Sequence, residues 1–449
     1  MNSRESISSV DCGEPLDHNE IDSSHYGFRH AGEPLLLTPL IEGGRIEEAQ
    51  NQARVDYKDF DPIESYSGYF TVDSVHENNL FFWYFPSEDD AENDPVVLWL
   101  QGGPGSPSEY GLFEENGPFK VNSDYSVSLR EYRWTKNHSV LYIDNPVGTG
   151  FSFSNNNGYA SNQTKVGDDL YNGLVQFFKL FPYLQDNDFF VTGESYAGKY
   201  VPAVTYTILK NNPGAELKIN LQGLAIGNGL SDPINQGGYG YYVYQLGLVD
   251  ANTRDTLLEY WEIMKRYVAE ENWSEATRYF DDEMVGLISE VSQIDSIYNY
   301  LQEGYGEGEY WQYLIQIKAR SALHVGSTEF GNGPVSQYLY DDISKSVAPW
   351  VSELLSNYRV LIYSGQVDII VGYPMNINYL QNLDFSAAEE YKTAERQVWR
   401  DTDGVAGYYK IAGNLTELLV RNAGHMVPSD QPKRAYSMLY SFTRNLPYQ

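Results

Sequence analysis

Residues 188–202 read DFFVTGESYAGKYVP. Asp188–Thr192 is a short apolar run of strand character, and the residues after it break that pattern with a glycine, a glutamate and a serine. A helix is expected to follow, from Lys199 to Lys210. A strand, a sharp turn carrying a serine and then a helix make the context of a nucleophile elbow. The serine of such an elbow sits on a strained turn, so its neighbours must be small enough to clear the adjoining strand and helix. Gly193 and Ala197 meet that need around Ser195. The common form of the pattern is G-x-S-x-G, with glycine where this chain has Ala197, and five residues alone carry little weight. Their meaning depends on what surrounds them.

Working outward, GYFTVDSV (68–75) and LFFWYF (80–85) flank the turn HENN and read as a hairpin. VVLWL (96–100) and VLYID (140–144) are unbroken apolar runs of the length of buried strands. VGDDLYNGLVQFFKLF (166–181) sets Val166, Leu170, Leu174, Phe177 and Phe181 on one helical stripe. LQGLAI (221–226) is a further strand. Strands alternating with helices imply a parallel sheet covered on both faces, an α/β class. The alternation stops near Asp232. From Asp250 to about Ile317 the chain reads as helix rich in Glu, Tyr and Trp, and RVLIYS (359–364) and LTELLV (415–420) then resume the strands. The expected organisation is a core of 34–232 and 318–449, a helical cap insertion over 233–317, and a polar peripheral arm over 1–33. The arm holds His18, His25 and His30, whose spacing fits no metal-ligand pattern, so neither a metal site nor a cofactor is expected.

A nucleophilic serine needs a base. His76 lies in the hairpin turn, His138 in an N-x-S triplet and His324 in a helical region, whereas His425 follows a strand in the glycine-flanked loop NAGHMVPSDQP. There a side chain can turn back over the carboxyl edge of a sheet. The base in turn needs a carboxylate to fix its tautomer. Asp368, in YSGQVDIIVGYP, also stands just past a strand end; Asp144, after VLYI, competes with it but precedes the serine. The chain order Ser195, Asp368, His425 is that of an α/β-hydrolase fold.

Composition narrows the setting. A formal charge of -32 opposes contact with nucleic-acid phosphates. It suits an acidic compartment, where carboxylates protonate towards about pH 4 to 5 and self-repulsion relaxes. No stretch of eighteen apolar residues occurs, so no membrane span is expected. The single cysteine, Cys12, excludes an intrachain disulfide, taken alone favours a reducing compartment, and leaves a disulfide-linked homodimer open. Four N-x-S/T triplets, at Asn137, Asn162, Asn272 and Asn414, point instead to glycosylation in a secreted, lysosomal or vacuolar setting. The first residues, MNSRESISSV, hold no apolar segment of a signal peptide.

Together with the elbow and the two loops above, WLQGGPG (99–105), GLFEENGPF (111–119) and DNPVGTGFSF (144–153) resemble the serine carboxypeptidases over about Tyr66 to Leu446. Within that family the chain is most similar to the vitellogenic-like carboxypeptidase branch. The resemblance implies an acyl-enzyme route with Ser195, Asp368 and His425 as the triad, and an oxyanion hole from the backbone N–H groups of Gly103 and Tyr196. It implies a second group of residues that holds the C-terminal carboxylate of a peptide or protein substrate: Gln101, the N–H of Gly102, Glu115 and Glu194. Two glutamates can face a third carboxyl only by sharing a proton, so removal of C-terminal residues is expected to run best in acid. Met426 would line the pocket for the departing residue, with plain core packing as the other reading.

Two departures stand out: the family usually has asparagine at the position of Gln101, and secreted members usually carry several disulfides, some of them near the cap. Two other activities remain open on the same residues: an acyltransferase, with an alcohol replacing water, and a noncatalytic binding protein that keeps the fold.

Overall fold

The computed structural model describes residues 31–304 and 308–448. Cys12, His18, His25 and His30, and nearly all of the expected arm, lie outside the described residues. The strands are β1 (Tyr66–Asp73), β2 (Asn78–Phe85), β3 (Val96–Leu100), β4 (Phe119–Val121), β5 (Val127–Leu129), β6 (Ser139–Ile143) and β7 (Phe153–Ser154). They continue with β8 (Phe189–Glu194), β9 (Leu221–Gly227), β10 (Arg359–Gly365), β11 (Gln397–Asp401), β12 (Gly404–Ala412) and β13 (Leu415–Val420).

One sheet runs in the order β1-β2-β6-β3-β8-β9-β10-β13-β12-β11. From β6 to β13 the neighbours are parallel, and the two flanks are antiparallel. The central strands are buried along their whole length, which is why VVLWL and its counterparts read as unbroken apolar runs. Side chains still alternate between two cores. Leu98, Val191, Leu224 and Ile362 face one, shared with the helices Gln163–Leu180 and Ala197–Asn211. Trp99, Phe190, Ala225 and Tyr363 face the other, shared with the helix Pro432–Thr443. This is the period-two rule of a pleated strand acting in a doubly covered sheet.

The expected stripe is present: Val166, Leu170, Leu174 and Phe177 are fully buried. Asn162 starts that helix by accepting the N–H of Lys165. The hairpin β11–β12 had no reading in the sequence, although Asp403-Gly404 stands at its turn. Its apolar residues are split between the faces. Trp399 and Ala406 are buried while Val398 is 48% and Ile411 51% exposed, so no clean alternation is visible. Between β9 and β10 no strand is formed among the described residues. Helices fill the interval from Pro233–Gln236 through Ala251–Ala269 and continue past residue 317 to Ala348–Leu355. No helix among the described residues is long and apolar enough to cross a membrane.

Candidate active site

The elbow forms where β8 leaves the sheet. Glu194 pairs with Gly227 of β9, the Ser195 N–H donates to the Gly227 carbonyl at 3.0 Å, and Ser195 itself has φ +63°. A non-glycine residue in that left-handed region is strained and must be held by its surroundings. The holding bonds are the N–H groups of Gly198 and Leu230, which donate to the Ser195 carbonyl at 2.9 and 3.0 Å. The need for small neighbours is now explicit. A Cβ on Gly193 would stand 2.7 Å from the Leu100 carbonyl of β3 and 2.7 Å from Cβ of Ala197. The methyl of Ala197 therefore occupies space that Gly193 leaves empty, which accounts for alanine in the last position of the pattern.

The chain 101–103 lies directly on this elbow. A Cβ on Gly102 would come within 2.5 Å of the Tyr196 nitrogen and 2.7 Å of Ser195 Cβ, and Gly103 has φ +108°. Gly102→Ala is expected to push the two segments apart, lowering the thermal midpoint and reducing kcat by about 100-fold, the scale of a misplacement near 1 Å. Melting curves and steady-state rates on the same preparation check it, and a variant with unchanged kcat would contradict the close approach.

The parallel register brings the other loops to the same edge, since β8, β9, β10 and β13 are successive neighbours. Asp368 and His425 meet: Nδ1 of His425 is 2.8 Å from Oδ2 of Asp368, and both side chains are buried. Asn228, just past β9, donates its Nδ2 to the same oxygen at 2.6 Å and accepts the Gly365 N–H at 3.1 Å. Oδ1 of Asp368 accepts the Val371 N–H at 3.3 Å. Nε2 of His425 is buried and makes no hydrogen bond among the described residues. Asn228 was not singled out in the sequence. Its signal is the GNG (227–229) after LQGLAI, where Asn228 takes φ +43°.

Gln101, Glu115 and Glu194 form a second buried group beside the elbow. Trp99 Nε1 donates to Gln101 Oε1 at 2.9 Å, which turns Gln101 Nε2 towards Glu194 Oε1 at 3.1 Å. Glu115 sits on one turn of π-helix, Gly111–Glu115, and Gly111 rests on the Trp99 indole, 2.1 Å from where its Cβ would be. Glu115 and Glu194 are 1% and 0% exposed, so neither is a solvated turn or helix-end acid. Glu115 and Glu194 lie close enough for a protonated carboxyl of one to hydrogen-bond the other. Burial pushes the Glu115 carboxyl up to about 7, with Glu194 and Gln101 opposing part of the rise. Burial, and then the charge of Glu115, push Glu194 well above the usual carboxylate range.

A family model described as serine carboxypeptidase matches residues 56–445. The chain belongs to the serine carboxypeptidase family. It is 51% identical over 428 residues to the venom serine carboxypeptidase of Apis mellifera, with 92% of each chain covered. It is 46% identical to the vitellogenic carboxypeptidase of Aedes aegypti and 43% identical to the human probable serine carboxypeptidase CPVL, covering 92% of this chain and 90% of each relative. The solved structure of a prohormone-processing carboxypeptidase from Saccharomyces cerevisiae superimposes with a TM-score of 0.78 at 24% identity, covering 88% of this chain and 96% of that one. That likeness gives the fold, an α/β-hydrolase. This serine carboxypeptidase is accordingly a hydrolase that acts as an exopeptidase on peptides.

Apart from Met426, the remaining candidates of this serine carboxypeptidase serve other contacts. Asp144 serves its own loop, accepting the N–H groups of Ser108 and Phe151 at 2.9 and 2.8 Å. It faces Glu109 in a second buried acidic pair; burial raises Asp144 to about 6 and Glu109 well above its usual range. His76 contacts Asp73, His138 contacts Thr443 and Arg444, and His324 contacts Ser67. Met426 is buried immediately after His425 and opens the short helix Val427–Asp430. Asn162 and Asn272 are exposed helix caps, and Asn414 is exposed with its Nδ2 donating to the Leu355 carbonyl at 2.9 Å. Asn137 is half-buried and accepts the hydroxyl of Tyr436.

Proposed function

We propose that this serine carboxypeptidase cleaves the C-terminal peptide bond through an acyl-enzyme, with Ser195 as nucleophile, His425 as general base and Asp368 as its orienting acid. Ser195 Oγ attacks the scissile carbonyl carbon as His425 Nε2 takes its proton, and Asp368 holds the Nδ1–H tautomer. The negative oxygen that forms is received by the N–H groups of Gly103 and Tyr196. Collapse breaks the C–N bond, His425 returns the proton to the departing amine, and water then resolves the ester by the same steps. In the substrate complex the hydroxyl of Ser195 becomes the partner of Nε2, a bond that commonly tightens only on binding.

The observation that carries the exopeptidase reading is the buried group Gln101, Glu115 and Glu194 against the elbow. It offers the amide hydrogens of Gln101, the N–H of Gly102 and two carboxyls of raised proton affinity to an incoming carboxylate. With a proton shared between the glutamates, the substrate carboxylate is accepted; once that proton is lost, three anions repel. Activity is therefore highest in acid. Met426 lines the pocket of the departing side chain and tolerates apolar residues there. Work in an acidic, lysosomal or secreted setting, with glycans on the exposed Asn162, Asn272 and Asn414, fits the formal charge of -32.

The test is a blocked dipeptide offered at about pH 4.5 to 5 as the free acid and as its C-terminal amide. Release of the terminal amino acid from the acid, and at least about tenfold slower release from the amide, is expected. Equal rates on both would remove the carboxylate-holding role, and turnover only with an added alcohol would make the enzyme an acyltransferase.

A further inference from the structure

The two loops that carry Asp368 and His425 are not held by the sheet alone. Residues 297–302, which belong to the insertion between β9 and β10, run across both loops. The Tyr298 carbonyl accepts the backbone N–H of His425 itself at 2.7 Å. The Ile297 carbonyl accepts the N–H groups of Ile369 and Ile370 at 2.9 and 3.2 Å, and the Tyr300 N–H donates to the Val367 carbonyl at 3.3 Å. Asp430 closes this strap from the other side. Its Oδ2 accepts the Gly424 N–H at 2.6 Å and Asn299 Nδ2 at 2.9 Å, while Oδ1 accepts Gln302 Nε2 at 3.0 Å. The approach leaves no room for a side chain at Gly424: a Cβ there would lie 2.3 Å from the Tyr298 carbonyl and 2.6 Å from Asn299 Cβ.

We infer that Asp430 and the strap 297–302 are a positioning device that sets the imidazole of His425 against Asp368. The inference rests on the assignment of those two residues to the triad. Its physical basis is bond count and reach. A histidine on a loop after β13 is fixed by its single side-chain bond to Asp368 only if the loop backbone is fixed as well, and Gly424 and His425 direct their N–H groups to Asp430 and to the strap. The same strap bonds the loop of Asp368, so a shift of one loop against the other must break bonds made by residues 297–300. The Tyr298 ring, 5.4 Å from the imidazole and inclined at 47°, adds a wall on the side of His425. The insertion thus contributes to catalysis through the placement of the base.

Asp430→Ala removes one acceptor from the loop and two from the strap, and is expected to lower kcat by about 10- to 100-fold with KM changed by less than about threefold. Asp430→Asn keeps an oxygen for Gly424 and Asn299 and an amide that Gln302 can meet by rotating its own, so it should restore kcat to within about threefold. Asn299→Ala, which leaves Asp430 in place, should lower kcat by about fivefold and serves if the first variant does not fold. His425→Ala, made in parallel, reads the site assignment by itself. Activity retained in His425→Ala overturns the triad and the strap's role together. An inactive His425→Ala with unchanged kcat in Asp430→Ala and Asn299→Ala, or an Asp430→Asn variant as impaired as the alanine, overturns the positioning role alone.

Discussion

Asp368→Asn is expected to lower kcat by about four orders of magnitude with the chain still folded, because the amide is the same size as the carboxyl it replaces. The size of the effect follows from the donors around one oxygen. Oδ2 accepts both His425 Nδ1 at 2.8 Å and Asn228 Nδ2 at 2.6 Å, while Oδ1 accepts the Val371 N–H. A carboxylate satisfies all three. An amide has one oxygen; if it faces Val371, its NH₂ opposes Asn228 and forces His425 to accept through Nδ1. The imidazole proton then sits on Nε2, the atom proposed to take the proton of Ser195. If the oxygen faces His425 instead, the NH₂ is turned against a backbone donor in a fully buried site. Steady-state kcat, with melting curves on the same preparation, decides the matter, and a loss below about tenfold would show that Asp368 does not set the tautomer.

Glu194→Gln should change how the enzyme responds to pH more than how fast it turns over in acid. In the native pair the carboxyls are raised, Glu115 to about 7 and Glu194 well above the usual range. A raised carboxyl is protonated below its folded value and charged above it: Glu115 ionises first, at about 7, Glu194 keeps the remaining proton, and on the proposed role carboxylate binding is lost as pH climbs through the higher value of Glu194. Stability has the same sign. The contribution of a carboxyl whose folded value exceeds the unfolded one is complete below the unfolded value, about 4.3, and disappears as pH rises through the folded value. In the variant the pair holds a single ionisable group, Glu115, beside a permanent hydrogen-bond donor, and no shared proton is required. The ratio of variant to native kcat/KM on a free-acid substrate should therefore rise by at least about tenfold between about pH 5 and the pH at which the native pair gives up its last proton. Parallel pH profiles for the two proteins would sink the shared-proton account. The amidated substrate, which brings no third carboxyl, provides the internal control and should show a far smaller ratio.

Much of the frame was legible because its signals are local. The unbroken apolar runs at Val96–Leu100 and Val140–Ile143 and the stripe from Val166 to Phe177 report burial directly, and each is buried in the fold. The β11–β12 hairpin was not legible, since its apolar residues point to both sides of an edge ribbon. Glu115 and Glu194 have the letters of surface acids, and only a family likeness singled them out before their burial was visible. Asn228 in GNG and Asp430 in NAGHMVPSDQP stood in recognisable loops but had no role assigned, as an amide and an acid in loops acquire roles only from the atoms opposite them.

Composition, the periods of the apolar residues and the small neighbours of Ser195 were thus settled by the chain itself, because each depends on residues a few positions apart. Which acid meets His425, that Gln101 is turned by Trp99 towards Glu194, and that residues 297–302 bridge two loops were decided only by the tertiary structure. Apart from the local Trp99–Gln101 bond, these contacts join segments tens of residues to somewhat over a hundred apart, and the parallel register of β8, β9, β10 and β13 delivers four loops to one edge of the sheet.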